Sequence, residues 1–175
     1  MFVPLLGDIL PCVVAGLGDD AETVRDTALK AGRVVVEQYA ETSSAIDQIL
    51  PVLERGMFLE DHRMRVSSVQ LLGDMLYKIG DIRAVHTDGE DDTHGTKEVA
   101  ARIAKTLGST ERRDRLLAAL YITRSDTSVS VRHAAKVVWK TIVPNTGRVL
   151  REILSDVIQR LLVLLKAKSE VAGRC

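Results

Sequence analysis

The feature that most constrains this chain is that it repeats itself. Ile9-Leu10-Pro11 returns 40 residues later as Ile49-Leu50-Pro51, and Val24-Arg25 returns at the same spacing as Met64-Arg65. A third copy lays Leu116-Leu117-Ala118-Ala119-Leu120 on Ile9 to Val13, which sets Asp126 on Asp19, Val131 on Val24 and Arg132 on Arg25. A period in this range means one supersecondary unit stacked on copies of itself, because a single amphipathic hairpin cannot cover both its apolar faces. The unit is helical. From Arg63 to Ile79, the residues Val66, Val69, Leu72, Met75, Leu76 and Ile79 fall on the i, i+3, i+4, i+7 rows of one stripe, and Leu150, Ile153, Leu154, Val157, Ile158, Leu161, Leu162 and Leu165 do the same. No period-2 alternation bounded by turn residues persists, so no strand is expected. The chain reads as an all-α helical-hairpin solenoid, with first helices over Ile9 to Leu17, Ile46 to Phe58 and Arg112 to Thr123.

Residues 1–80 then hold two repeats, and 81–96 form a mobile acidic loop, with Asp81, Asp88, Glu90, Asp91 and Asp92 against Arg83. Residues 97–165 hold a short helix from Lys97 to Leu107 stopped by Gly108, the third repeat, and the first helix of a fourth. Residues 166–175 read as a truncated continuation, with Ser169 to Cys175 as the unfinished start of another second helix. Both ends look like cuts in a longer solenoid, since solenoids need polar terminal caps. Pro11 and Pro51 sit inside first helices, Asp19 and Asp126 at the turns, and Arg25, Arg65 and Arg132 early in the second helices. That pattern resembles HEAT-type, armadillo-like repeats. The resemblance implies that Arg25, Arg65, Arg132, Asp19 and Asp126 are structural ladder residues, arginines pairing with turn acids.

Charge and chemistry narrow the function. Lys+Arg and Asp+Glu both number 24, so no global field draws in a polyanion, and direct DNA binding is not expected. Two cysteines, Cys12 and Cys175, make neither a disulfide framework nor a zinc cluster, and no uncharged run approaches the roughly 18 residues of a membrane span. A cytoplasmic protein without membrane contact is expected. Gly16-Leu17-Gly18-Asp19-Asp20-Ala21 matches a dinucleotide fingerprint, but two aspartates would repel a pyrophosphate, and a helix–helix corner explains the glycines. His86 and His94 bracket acidic residues in an order that fits no calcium loop, so a solvated loop is expected rather than a metal site. Ser125, Asp126 and His133 lack a nucleophile elbow; His62 and His133 suit surface or interhelical hydrogen bonds, and Trp139 suits the core. No catalytic residue, cofactor or metal is therefore expected. The densest basic cluster, Arg112, Arg113 and Arg115 with Arg124 further on, is the expected exposed ridge for a partner or phosphate contact.

Three strings carry a closer likeness: Glu111 to Asp126, Ser67 to Ile79, and Val138-Trp139-Lys140-Thr141-Ile142-Val143. In their order along the chain they resemble the eukaryotic translational activator family called general control non-derepressible protein one, from about Val3 to Leu165. The likeness places the chain after the part of that family similar to fungal elongation factor three. It departs at Asp114, where Asn is usual, at Gly147, where Pro is usual, and in a shortened tail from Lys166. It implies a non-enzymatic HEAT scaffold that binds ribosomes. With an ABC-type co-activator, such a scaffold promotes activation of the starvation-responsive kinase that phosphorylates initiation factor two alpha. The alternatives are a generic HEAT adaptor, as in transport or phosphatase scaffolds, and remotely a HEAT-type DNA glycosylase, which zero net charge and 3% aromatic residues disfavour.

Overall fold

A computed structural model describes residues 3–82 and 97–172, with side-chain environments as far as residue 167. After a 3-10 turn at Val3–Leu5 come α1 (Leu6–Leu17), α2 (Glu22–Tyr39), α3 (Ser43–Gly56), α4 (His62–Gly80), α5 (Lys97–Leu107), α6 (Thr110–Thr123), α7 (Val129–Ile142) and α8 (Thr146–Ala172). Among the described residues there is no strand. The acidic loop beyond Ile82 lies outside the described residues, and His86 and His94 with it.

Local chemistry sets the boundaries. Asp61 Oδ1 accepts the Arg63 N–H at 2.8 Å and Ser109 Oγ accepts the Arg112 N–H at 3.1 Å, so orphan donors at the starts of α4 and α6 are satisfied by side chains. Gly108 ends α5 at φ +77°, a left-handed conformation that costs glycine nothing. In α2, Val34-Val35-Val36 would favour a strand by a few tenths of a kcal/mol per residue. Burying Val36, which is 3% exposed, returns about 1.5–3 kcal/mol, and the helix wins.

The all-α, HEAT-type solenoid is what the helices build. First helices α1 and α3 pack together in one layer, with α6 continuing it; α2, α4 and α7 pack in sequence to form the second layer. The second layer is tight because glycines allow it. A Cβ on Gly73 would stand 2.6 Å from Val138 Cγ2, and one on Gly32 would stand 2.8 Å from Leu71 Cδ1. Between the layers lie fully buried Ile49, Met57, Val69, Leu72, Met75, Leu76, Leu120, Val131 and Ala135.

The C-terminal end departs from expectation. No new second helix starts after residue 165; α8 runs unbroken for 27 residues to Ala172. The stretch from Arg148 to Ala172 contains neither glycine nor proline and holds six leucines, so nothing stops the helix. Helix α8 packs along α6, and Arg160 reaches back to the second repeat, with its guanidinium 4.6 Å above the Phe58 ring and 2.8 Å from Glu54.

Replacing Gly73 with Ala should lower stability by about 1–3 kcal/mol through overpacking against Val138. In a denaturant titration, the Gly73→Ala/Val138→Ala double variant should lose less than the two single losses combined. Strict additivity would show that the α4–α7 approach is not limited by this contact.

Candidate functional site

The three second-helix arginines adopt one pose. Arg25 Nη1 donates to the Asp19 and Asp20 carbonyls, both at 2.7 Å. Arg65 Nη1 donates to Leu59 O at 2.9 Å and Glu60 O at 2.6 Å, and Arg132 Nη1 to Asp126 O at 2.7 Å and Thr127 O at 2.8 Å. Two consecutive turn carbonyls that no helix can satisfy thus receive one charged donor. The expected pairing with a turn acid occurs, among the described residues, in Arg65: its Nε and Nη2 grip Asp126 Oδ2 at 2.8 Å and Oδ1 at 2.9 Å. This bond joins the second hairpin to the third, with side chains 13% and 12% exposed. Burial alone would raise the Asp126 carboxyl. The Arg65 fork, the Ser128 N–H and the charges of Arg65 and Arg132 outweigh it and hold the carboxyl below its usual range. Asp19 instead caps its own turn, accepting the Ala21 N–H at 2.8 Å.

The four arginines expected as one exposed ridge are dispersed into other contacts, which corrects that expectation. Arg112 binds Asp47 of α3 at 2.7 Å, Arg113 binds Glu152 of α8 at 2.6 Å, and Arg115 approaches Glu54 of α3 at 3.5 Å. Arg124 turns the other way, its guanidinium 5.0 Å and 5.1 Å from the Tyr121 and Trp139 rings. Of the four, Arg115 has the most open side chain, at 58%. The physical reason is spacing: Arg112 and Arg115, three residues apart, share the side of α6 that faces α3, while Arg113 lies further round the helix toward α8. Glu54, 12% exposed, also takes Arg160 and so ties α3, α6 and α8 together. Glu152 is held below its usual range chiefly by its hydrogen bond from Arg113, against burial, with Arg148 assisting. Asp114 is raised, first by burial and then by Asp156 and Glu152, against the lowering effect of Arg113. Sequence reading missed Asp47, Glu54 and Glu152 because each lies on a different helix from its arginine partner on α6.

The remaining candidates resolve into structure. Gly18 ends α1 against the Met64 side chain, and its following aspartates are the Arg25 turn. Asp126 is committed to Arg65 rather than to His133, which lines a groove of about 580 Å3 between α2, α4 and α7. Val66, Val129 and Val137 line the same groove, Arg33 meets Asp74 at 3.0 Å in its wall, and Gly73 lies in its floor. Tyr77 there has its hydroxyl pKa raised by burial, against a hydrogen bond with Thr141 and with Asp74 adding to the rise. Trp139 is 3% exposed, meets the Tyr121 ring in a tilted contact at 5.3 Å between centroids and donates to Thr146 Oγ1 at 2.9 Å, a core role. Among the described residues no group of three or more His, Cys, Asp or Glu could hold a metal ion, and no helix is long and apolar enough to cross a membrane. This arrangement can bind through extended helical surfaces.

Comparison with known proteins gives a consistent set of relatives. The chain is 48% identical over 180 residues to the human "Stalled ribosome sensor GCN1", covering 99% of this chain and 7% of that protein. It is 42% identical over 170 residues to the "eIF-2-alpha kinase activator GCN1" of Saccharomyces cerevisiae, covering 97% of this chain and 6% of that protein. The "Protein ILITYHIA" of Arabidopsis thaliana is 42% identical over 172 residues, covering 95% of this chain and 6% of that protein. The chain thus spans about 7% of the length of the curated relatives it matches. No protein-family model and no solved structure matches it.

The Arg65 clamp has measurable consequences. Arg65→Ala should cost about 1–3 kcal/mol, because it strands a largely buried carboxylate and two turn carbonyls. Arg65→Lys should recover only part, since an ammonium cannot grip bidentately. Because the folded Asp126 pKa is depressed, the stability it contributes is present above the ordinary carboxylate range and lost as pH falls through the folded value. Denaturation midpoints measured from neutral to acid pH should therefore fall less steeply in Asp126→Asn than in the parent, and parallel curves would remove Asp126 from the acid response.

Proposed function

We propose, for a chain that is homologous along nearly its whole length to one segment of the GCN1 proteins, a non-enzymatic role as a stretch of helical scaffold. In this reading it belongs to a ribosome-associated regulator that promotes activation of the eIF-2-alpha kinase in amino-acid starvation. Its partners are the ribosome, that kinase and an ABC-type co-activator, and its setting is the cytoplasm. The observation that carries the reading is the alignment of 99% of the chain with a protein named a stalled ribosome sensor and 97% with one named a kinase activator. The geometry supports it in kind. A scaffold must hold distant surfaces at a fixed spacing, and carbonyl clamps with ion pairs between helices favour a rigid body over a hinged one. A generic protein-binding adaptor is the second reading, favoured by the groove over Val66, Val129 and Val137 on the second-helix layer.

The test is co-sedimentation of the purified, helical chain with ribosomes through a sucrose cushion. Pelleting that weakens as salt is raised is expected for a direct contact. A folded chain left in the supernatant at low salt would overturn ribosome binding by this segment. Charge reversal at Arg112 and Arg113 should lower the thermal midpoint, since both hold neighbouring helices; unchanged stability would mean the ion pairs to Asp47 and Glu152 contribute little.

A further inference from the structure

Among the described residues no second helix folds back on α8, although its sequence keeps the register of α6. Leu116 and Leu120 of α6 correspond to Ile153 and Val157 of α8, and all four are buried. The adjoining row differs. On α6 it holds Leu117, Tyr121 and Arg124; Leu117 is buried, and Tyr121 meets Trp139 of α7, the antiparallel helix that covers it. On α8 the same row holds Leu154, Ile158 and Leu161, exposed by 54%, 51% and 42%, and Leu165 extends it at 62%. Where α6 turns into α7 through Ser125-Asp126-Thr127-Ser128, α8 has Leu162-Val163-Leu164-Leu165, with no capping or turn residue, so the helix runs straight on. A row that on α6 lies under an antiparallel helix is left open on α8.

That row has the spacing of a helix–helix seam. Leu154, Ile158, Leu161 and Leu165 follow one another at 4, 3 and 4 residues, the d-a-d-a positions of a heptad. Leu162, 53% exposed, widens one flank. At the preceding a position Arg151 donates to Gly147 O, so a charged residue bounds the seam there. No charged residue stands on the row itself, so nothing in it selects an acidic or a basic ligand. The spacing also reads the same in both directions. An antiparallel helix with the same row therefore matches it step for step, and α8 of a second copy is such a helix.

We propose that this row is a homodimer seam, on which two copies of the chain pair through antiparallel α8 helices about a two-fold axis between Ile158 and Leu161. Leu154 then meets Leu165 of the second copy and Ile158 meets its Leu161, each contact occurring twice, as an isologous interface requires. The second copy supplies the antiparallel cover that α7 gives to α6. Five roughly half-exposed aliphatic side chains from each copy bury on the order of 1,000 Å2 in all, the low end for a specific interface, which sets association in the micromolar range. The seam does not depend on the ribosomal reading above.

The test is analytical ultracentrifugation of the full chain from about 1 to 300 μM, a range that brackets micromolar association, under reducing conditions so that exposed Cys12 cannot bridge copies. The mass should rise with concentration to twice that of the chain and stop there, since an isologous interface closes. Two variants, I158K/L161K and I158E/L161E, should each dimerise at least tenfold more weakly, with circular dichroism showing parent-like helicity. Mixing the two should restore a dimer, because each lysine then faces a glutamate across the axis. A parent that stays monomeric throughout, a mass that climbs past the dimer, a dimer unchanged in both variants, or folded variants that fail to pair on mixing would each overturn the proposal.

Discussion

An α-hairpin stack depends on solving one problem many times: the turn between two helices carries carbonyls that neither helix can satisfy. Here a single arginine, one turn into each second helix, bonds two of them at once. Because the guanidinium is planar and permanently charged, the same side chain has an edge left for the neighbouring hairpin. Arg65 uses that edge on Asp126, so the geometry of one turn is transmitted to the position of the next repeat. The apolar core supplies most of the stabilisation, yet apolar contact is indifferent to small sliding; the fork is not.

The first-helix layer solves a related problem by different means. Its helices meet through charges: Asp47 and Glu54 on α3, Arg112, Arg113 and Arg115 on α6, Glu152 and Arg160 on α8. Half-exposed pairs of this kind each contribute little, but a connected set resists rotation of any one helix. The second-helix layer instead meets at glycines where its helices approach, so the two faces of the stack offer partners different chemistry.

Much of this was legible in the residues. The repeat of Ile-Leu-Pro and the recurrence of Arg25, Arg65 and Arg132 announced helical hairpins, and the stripe from Val66 to Ile79 marked α4 within a residue or two. Trp139 was legible as core because it falls on the apolar row of its helix. The arginine cluster on α6 was misleading. Read linearly, four cations within a few turns look like a ridge, whereas each finds a carboxylate or aromatic partner, some of them brought by other helices. The length of α8 was also underestimated, since repeat logic expects a turn where the local residues supply no breaker.

Sequence alone therefore determined the helices, their pairing into hairpins and the residues that clamp each turn, because those depend on spacing within one segment, at 3.6 residues per turn. Only the tertiary structure decided which arginine's fork met a carboxylate, which carboxylates met α6, and where α8 came to lie. Those outcomes depend on the distance between side chains many residues apart, and that distance is set when the layers pack.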